Sequence, residues 1–318
     1  MSPRLRNQTL VVAAVIVGIV TFGRARTESA AGGLPELTAE VVALKATVNV
    51  LQQHVTALNI ELNNQSAAIS ALQATVGDHT TRLQFVTVSG TEMYITGANV
   101  NIRDGSGSTS GPLGDRNPTG LGNLIVGYNE SFPDSEVVRT GSHNLVIGPG
   151  HSYSSVGGLV AGYQNSIAGP YSSITGGFGN STAQRFASVS GGYKNVAGDF
   201  YSSVSGGEFN SATGRSSSVS GGSHNLAGEV TSSISGGLSN ITGGEGSSIS
   251  GGSSNRAVGP ASSVSGGTGN FARGGGSSVS GGSGNTVSAF NENASISGGQ
   301  GIVLNTPESW AAGGLIQP

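Results

Sequence analysis

The sequence predicts an all-β solenoid, a parallel β-roll of 15-residue coils, joined to an N-terminal α-helical coiled-coil stalk. Three observations carry this. Asparagine recurs every 15 residues at Asn165, Asn180, Asn195, Asn210, Asn225, Asn240, Asn255, Asn270 and Asn285. A heptad pattern of apolar residues runs without a slip from Leu37 to Val86. Glycine supplies 55 of 318 residues, while charged residues make up 10% and aromatics 5%. That is too little bulky apolar material for a large conventional core and too little charge for a disordered chain. The net charge of -3 offers no basic face for nucleic acid. Without cysteine there is no disulfide framework and no thiolate metal site. Backbone ladders and association between chains must therefore hold the fold together.

In residues 1–33, Arg4 and Arg6 precede an apolar run from Leu10 to Phe22, and Ser29-Ala30-Ala31 follows. A basic start, a short apolar run and a small-residue site read as a secretory signal peptide. Arg24 and Arg26 directly after the run leave an uncleaved N-terminal membrane anchor as the alternative. Either reading exports the remainder, which is expected to be secreted or held at the cell surface.

Residues 34–84 read as the stalk. One seam set is Val41, Val48, Val55, Leu62, Ile69, Val76 and Leu83; the other is Leu37, Leu44, Leu51, Leu58, Gln65, Leu72, His79 and Val86. Two apolar positions in seven is the narrow seam of a coiled coil, whereas a helix packed on a globular domain shows a wider stripe. Val in one set and Leu in the other favours two parallel helices by the simple rule. The head described below overrides it in favour of a homotrimer. Gln65 and His79 are polar seam positions that fix register or chain number, with a pH response at His79 as a lesser reading.

Residues 85–122 form a neck. Val86, Val88, Met93, Ile95, Val100 and Ile102 alternate as short strands do, and a Gly/Ser/Pro-rich loop follows. Its Asp104, Ser106, Ser108 and Asp115 have spacings like those of a calcium loop, but Thr109 stands where the turn glycine is required. A plain polar loop is the better reading, and no metal or other cofactor is expected.

Residues 123–300 are the repeat head, with consensus Ser-Ser-Val-Ser-Gly-Gly-x-x-Asn-x-Ala-x-Gly-x-x. Six residues before each Asn stands an aliphatic: Leu159, Ile174, Val189, Val204, Val219, Ile234, Ile249, Val264 and Val279. Two residues after each stands Ile, Thr, Ala or Val. Degenerate copies occur at Asn123–Gly127 and Asn144–Gly148, and an atypical one, Ile296–Gly299, is expected to cap the array before a C-terminal segment, 301–318. Fifteen residues suit one coil of a narrow solenoid, with two strands of about five residues and two tight turns. The Gly pair supplies one turn, where positive φ carries no steric cost. Stacking places like residues about 4.8 Å apart, so the asparagines form a ladder. One Val and one Ala per coil make a thin core, which predicts that three chains pool their inner strands.

Units such as Ala187-Ser188-Val189-Ser190-Gly191-Gly192 resemble the head repeats of YadA-like trimeric autotransporter adhesins. The resemblance covers about residues 120–300. It implies a left-handed parallel β-roll made by three chains and a role in adhesion to host or matrix glycans or proteins. The chain departs from the family in placing the stalk before the head and in ending at 305–318 without a membrane-inserting barrel segment. The repeats are also similar to those of phage fibres, a reading the apolar N-terminus disfavours.

Two aromatic columns stand out as a candidate ligand platform: Tyr163, Phe178 and Tyr193 after the Gly pair, and Tyr171, Phe186 and Tyr201 at the other turn. Exposed, adjacent rings favour a platform for sugars or peptides, and buried rings favour self-stacking. Asp199 and Glu229 share a column two coils apart, which is the basis for a polysaccharide-processing enzyme. No loop builds a cleft around them and no His or basic residue joins them, so a non-enzymatic reading is preferred. Ser-Ser columns such as Ser202-Ser203 and Ser217-Ser218 suggest ice or surface binding, or simply a solvated outer face. The expected function is that of an exported structural fibre for adhesion or surface coating.

Overall fold

The computed structural model describes residues 34–110, 118–133, 136–313 and 315–317. The signal or anchor segment and Asp115 lie outside the described residues. The chain divides into two units, one ending at Asn99 and the other beginning at Val100.

In the first unit, helix α1 (Leu34–Arg82) is 49 residues long, about 70 Å at 1.5 Å per residue. Pro35 stands in its first turn, where a missing N–H costs nothing. Glu36 near the start and His79 and Arg82 near the end complement the helix dipole. Arg82 also pairs with Asp78 at 2.9 Å. Gly77 does not end the helix, which runs one further turn. The heptad residues are uncovered: Leu44 is 51% exposed and Leu72 65%. Strands β1 (Val86–Ser89) and β2 (Glu92–Ile95) then pair antiparallel, with Ser89 opposite Glu92. Gly90, at φ 60°, makes the tight turn between them. Val100 and Ile102, expected to extend this pattern, lie in no strand.

The second unit is a parallel β-roll. Its first sheet has fourteen strands, from Leu124–Val126 through two-residue strands such as Ser203–Val204 to Trp310–Ala312 and Leu315–Gln317. Its second has eleven, from Ser152–Tyr153 to Val303–Leu304. Eleven rungs at ~4.8 Å extend about 50 Å. Register is strict: Val189, Val204 and Val219 align in one sheet, and Ala197, Ala212 and Ala227 in the other. A third column of single-residue bridges runs from Tyr163 through Phe178, Tyr193 and Glu208 to Gln300. A coil thus has two two-residue strands and a bridge, not two strands of five. Left-handed residues such as Phe209 (φ 53°) and Ser216 (φ 56°) bend the chain between them and cut the strands short.

The core is complete within one chain. Val204, Ala212, Asn210 and Ser202 are each 0 or 1% exposed, as are their equivalents on neighbouring rungs. The expectation that inner strands need other chains to cover them is not met, because buried Asn and Ser columns fill the space that Val and Ala leave. The inward aliphatic of the rung before Asn165 is Val160, not Leu159. Val160 pairs with Ile174 and is buried, whereas Leu159 pairs with Ser173 on the outer face. That rung is one residue shorter between the aliphatic and its Asn. Ile296–Gly299 does not cap the roll. Another rung, Val303–Leu304 and Trp310–Ala312, stacks on it, and the antiparallel strand Leu315–Gln317 closes the end.

In the regular rungs only the second glycine of each pair is conformationally required. Gly207 has φ 83°, and a Cβ there would meet Gly222 O at 2.1 Å and Asn210 Nδ2 at 2.5 Å, while a Cβ at Gly206 meets nothing within 4 Å. Gly206→Ala should therefore change stability by less than about 0.5 kcal/mol, and Gly207→Ala should cost about 3 kcal/mol or more. Thermal melting of the two variants checks this, and equal effects would contradict the assignment.

Candidate functional site: the asparagine ladder and the aromatic strips

The asparagine column forms by side-chain-to-backbone bonding. Asn210 Oδ1 accepts the backbone N–H of Asn225 at 3.0 Å. Asn210 Nδ2 donates to Gly206 O at 3.0 Å and Gly222 O at 2.8 Å. The same scheme holds at Asn180, Asn195, Asn240, Asn255 and Asn270. At the far end, the Ile302 N–H donates to Asn285 Oδ1 at 3.0 Å. Each carboxamide thus ties its own turn to the next rung. Asn123 and Asn144, in the degenerate copies, stand at a different corner and make a short ladder of their own. Asn144 N–H donates to Asn123 Oδ1, and Gly158 N–H to Asn144 Oδ1, both at 2.8 Å.

The main column continues below Asn165 through a residue of another type. His151 is fully buried. Its Nδ1 accepts the Asn165 N–H at 3.1 Å, in the place of Oδ1, and its Nε2 donates to Ile147 O at 3.0 Å, in the place of Nδ2. Its own N–H donates to Asn129 Oδ1 at 3.1 Å. Only the neutral imidazole with its proton on Nε2 fits this scheme. The sequence period did not reveal it, since no Asn marks the position.

The first predicted strip is longer than its sequence column. Ring centroids follow one another from Phe132 to Tyr163 at 5.2 Å, Phe178 at 5.1 Å, Tyr193 at 5.4 Å, Phe209 at 5.1 Å and His224 at 4.9 Å. The column position passes to Glu208 after Tyr193, but Phe209, one residue on, swings its ring into line. Phe132, Phe209 and His224 are therefore additions to the predicted residues. Tyr163 is 39% exposed and Phe178 37%. Successive interplanar angles of 64°, 47° and 87° keep these rings from stacking face to face. Lys194 Nζ lies 5.2 Å from the Tyr193 ring, and Ser223 Oγ lies 3.1 Å from Glu208 Oε1 and 2.7 Å from His224 Nδ1.

The second strip is built differently. Tyr171, Phe186 and Tyr201 stack at 5.6 and 5.2 Å with interplanar angles of 19° and 17°. All three have left-handed backbones, φ 57°, 61° and 59°. Arg185 lies 5.8 Å from both the Tyr171 and Phe186 rings. Their faces cover one another and their edges turn outward, although Tyr201 is 52% exposed.

The other candidates resolve into local structure. Asp199 Oδ1 accepts the Phe200 N–H at 2.6 Å and Ser202 Oγ donates to Asp199 O, which closes a turn. Glu229 occupies the same turn two rungs on, where its N–H donates to Ser232 Oγ at 3.3 Å. Asp104 accepts Ser106 N–H at 2.9 Å, Ser106 Oγ at 2.7 Å and Thr119 Oγ at 2.7 Å, with His143 Nε2 at 3.5 Å. The Ser106 hydroxyl, then the Ser106 N–H and Thr119, hold its carboxyl down at about 2. Among the described residues, no group of three or more His, Cys, Asp or Glu gathers to hold a metal. The Ser-Ser columns divide: Ser202 and Ser217 are buried, and only Ser203 and Ser218 face outward.

No family model matches the chain, and no curated protein matches it at a significant level. The functional reading therefore rests on the geometry.

Burial, reinforced by the Arg139 charge, lowers the proton affinity of His151, whereas in the unfolded chain it titrates near the ordinary 6.5. Stability is then full above that pH and falls below it, as the unfolded chain binds a proton the folded rung refuses. The melting temperature should drop between pH 7.5 and pH 5.5, and His151→Asn should flatten that slope. An unchanged slope in the variant would contradict the neutral role.

Proposed function

We propose that the chain is a non-enzymatic, exported structural fibre that adheres to or coats a surface through its β-roll head. The observation that carries this is the parallel stack of eleven rungs, whose register shifts only at the last, between Ile296 and Gly298. Such a stack repeats any outward side chain at a fixed pitch and gives contact area without building a cleft. The basic, apolar start of residues 1–33 supports export, as a cleaved signal or a membrane anchor. Among the described residues, no helix is long and apolar enough to cross a membrane.

The fibre assembles as a homotrimer on this reading. Support comes from the α1 seam, whose apolar residues are uncovered in a single chain and call for like helices. A second support lies on the outer face of the earliest rungs. Leu124, Val126 and Ile147 are exposed there, at positions where later rungs carry serines such as Ser188 and Ser190. The column of Leu124 is serine through the middle rungs and ends on exposed Trp310, and the apolar patch on the rungs nearest the stalk in sequence suits contact between heads. The resemblance to YadA-like head repeats agrees with three chains and with adhesion to glycans or matrix proteins.

Sedimentation of the chain should give three copies per particle. Replacing Leu44 and Leu58 together by Glu should yield single chains that keep their β-structure, since the roll core is complete alone. A wild-type chain that sediments as a monomer with full β-structure would overturn the assembly, and loss of surface attachment in the monomeric variant would tie adhesion to it.

A further inference from the structure

We propose that the ring strip from Phe132 to His224 binds a neutral, extended β-1,4-linked hexopyranose chain laid along the roll axis, one sugar per rung. The inference rests on the adhesive-fibre reading and names its ligand class. The first argument is pitch. The six rings succeed one another at 4.9 to 5.4 Å, and an extended β-1,4 chain advances by roughly one inter-strand spacing per sugar. A rigid ligand of that period keeps its rings in step with the strip over several rungs, so the contacts add along the chain.

The second argument is ring presentation. In an edge-to-face pair, one ring turns both faces away from its neighbour. Tyr163 and Phe178 meet at 64°, and Tyr193 and Phe209 at 87°; Phe209 gives one face to His224, at 28°, and the strip from Tyr163 to Phe209 otherwise retains ring faces for the apolar faces of sugars. The Tyr171–Phe186–Tyr201 stack covers its own faces and does not. Backbone bridges from Tyr163 to Phe178 and from Phe178 to Tyr193 hold three of the rings in register before any ligand arrives, which lowers the ordering cost of binding.

The third argument is charge and hydrogen bonding. Lys194 lies 5.2 Å from one ring of the strip and 5.8 Å from the next, and Glu208 lies on the adjoining rung beside Ser223 and His224. One cation and one anion balance, which favours a neutral chain over a uronic or sulfated one. Lys194 supplies donors, Glu208 acceptors and Ser223 both, as sugar hydroxyls require. A polyproline helix, the other ligand of aromatic surfaces, docks in grooves between aromatic ridges. Here a single line of rings follows a turn of the coil.

The test titrates the full chain with cellohexaose, by calorimetry and by the aromatic resonances, with its sedimentation measured in the same buffer. Saturable binding is expected. Tyr163→Leu and Phe209→Leu keep apolar bulk but remove the ring, and each should weaken binding about tenfold, the scale of one stacking contact. Phe178→Trp should bind at least as well as wild type, and Tyr201→Leu should bind like wild type. Melting curves confirm that each variant is folded. Absence of binding by an oligomeric wild-type chain would overturn the proposal and leave the fibre reading standing. Equal loss in Tyr201→Leu, binding only of sulfated oligosaccharide, or binding only of a proline-rich peptide would also overturn it.

Discussion

The structure depends on one buried contact, the Asn carboxamide that links each turn to the next rung. The turn after the Gly pair leaves backbone groups that no strand ladder reaches. Asn supplies an acceptor for the next Asn N–H and a donor for the Gly206 carbonyl, and it adds a second donor to the Gly222 carbonyl, which also accepts the Glu208 N–H. A buried polar group left unpaired costs about 1–3 kcal/mol, so a carboxamide with three bonds is stabilising where a partly bonded one is not. The geometry also discriminates among residues. Asp would set an anion against carbonyl oxygens, and Gln would overreach. His serves once, at His151, because its two ring nitrogens present the same acceptor and donor.

Much of the composition follows from this contact. A Cβ at Gly207 would fall 2.5 Å from Asn210 Nδ2 and 2.1 Å from Gly222 O, so the ladder and a side chain there exclude one another. Close stacking of the turns also favours Ala, Ser and Val inside. The roll thereby gains a core within one chain despite few large apolar residues. Its outer columns are then free to vary: in one, apolar on the first rungs, serine on the middle ones and Trp310 on the last, and aromatic along one corner. Function on such a scaffold lies in what a column repeats, which is why the ring strip and the exposed helix seam carry the functional proposals.

The 15-residue period, the inward Val and Ala columns and the asparagine ladder were legible in the sequence, because identical contacts demand identical residues. What was not legible breaks the period or moves along it. Val160 replaces Leu159 as the inward residue because its rung is one residue shorter. Phe209 extends the strip from a neighbouring position, and a column count stops at Tyr193. The final rung around Leu304 lacks the Asn signature, although it stacks like the others. Val100 and Ile102 alternate as a strand does but find no ladder. The expected reliance of the inner strands on other chains failed because buried Ser and Asn were not counted as filling volume.

Backbone hydrogen exchange, residue by residue, tests the central claim most directly. The Asn225 N–H has the Asn210 side chain as its acceptor, so its protection should match that of sheet amides such as Ser211 and Ser218. In the folded Asn210→Ala variant, Asn225 N–H should exchange much faster while Asn195 N–H, held by Asn180 Oδ1, stays protected. Rapid exchange at Asn225 in the wild-type chain, or protection unchanged in the variant, would contradict the account.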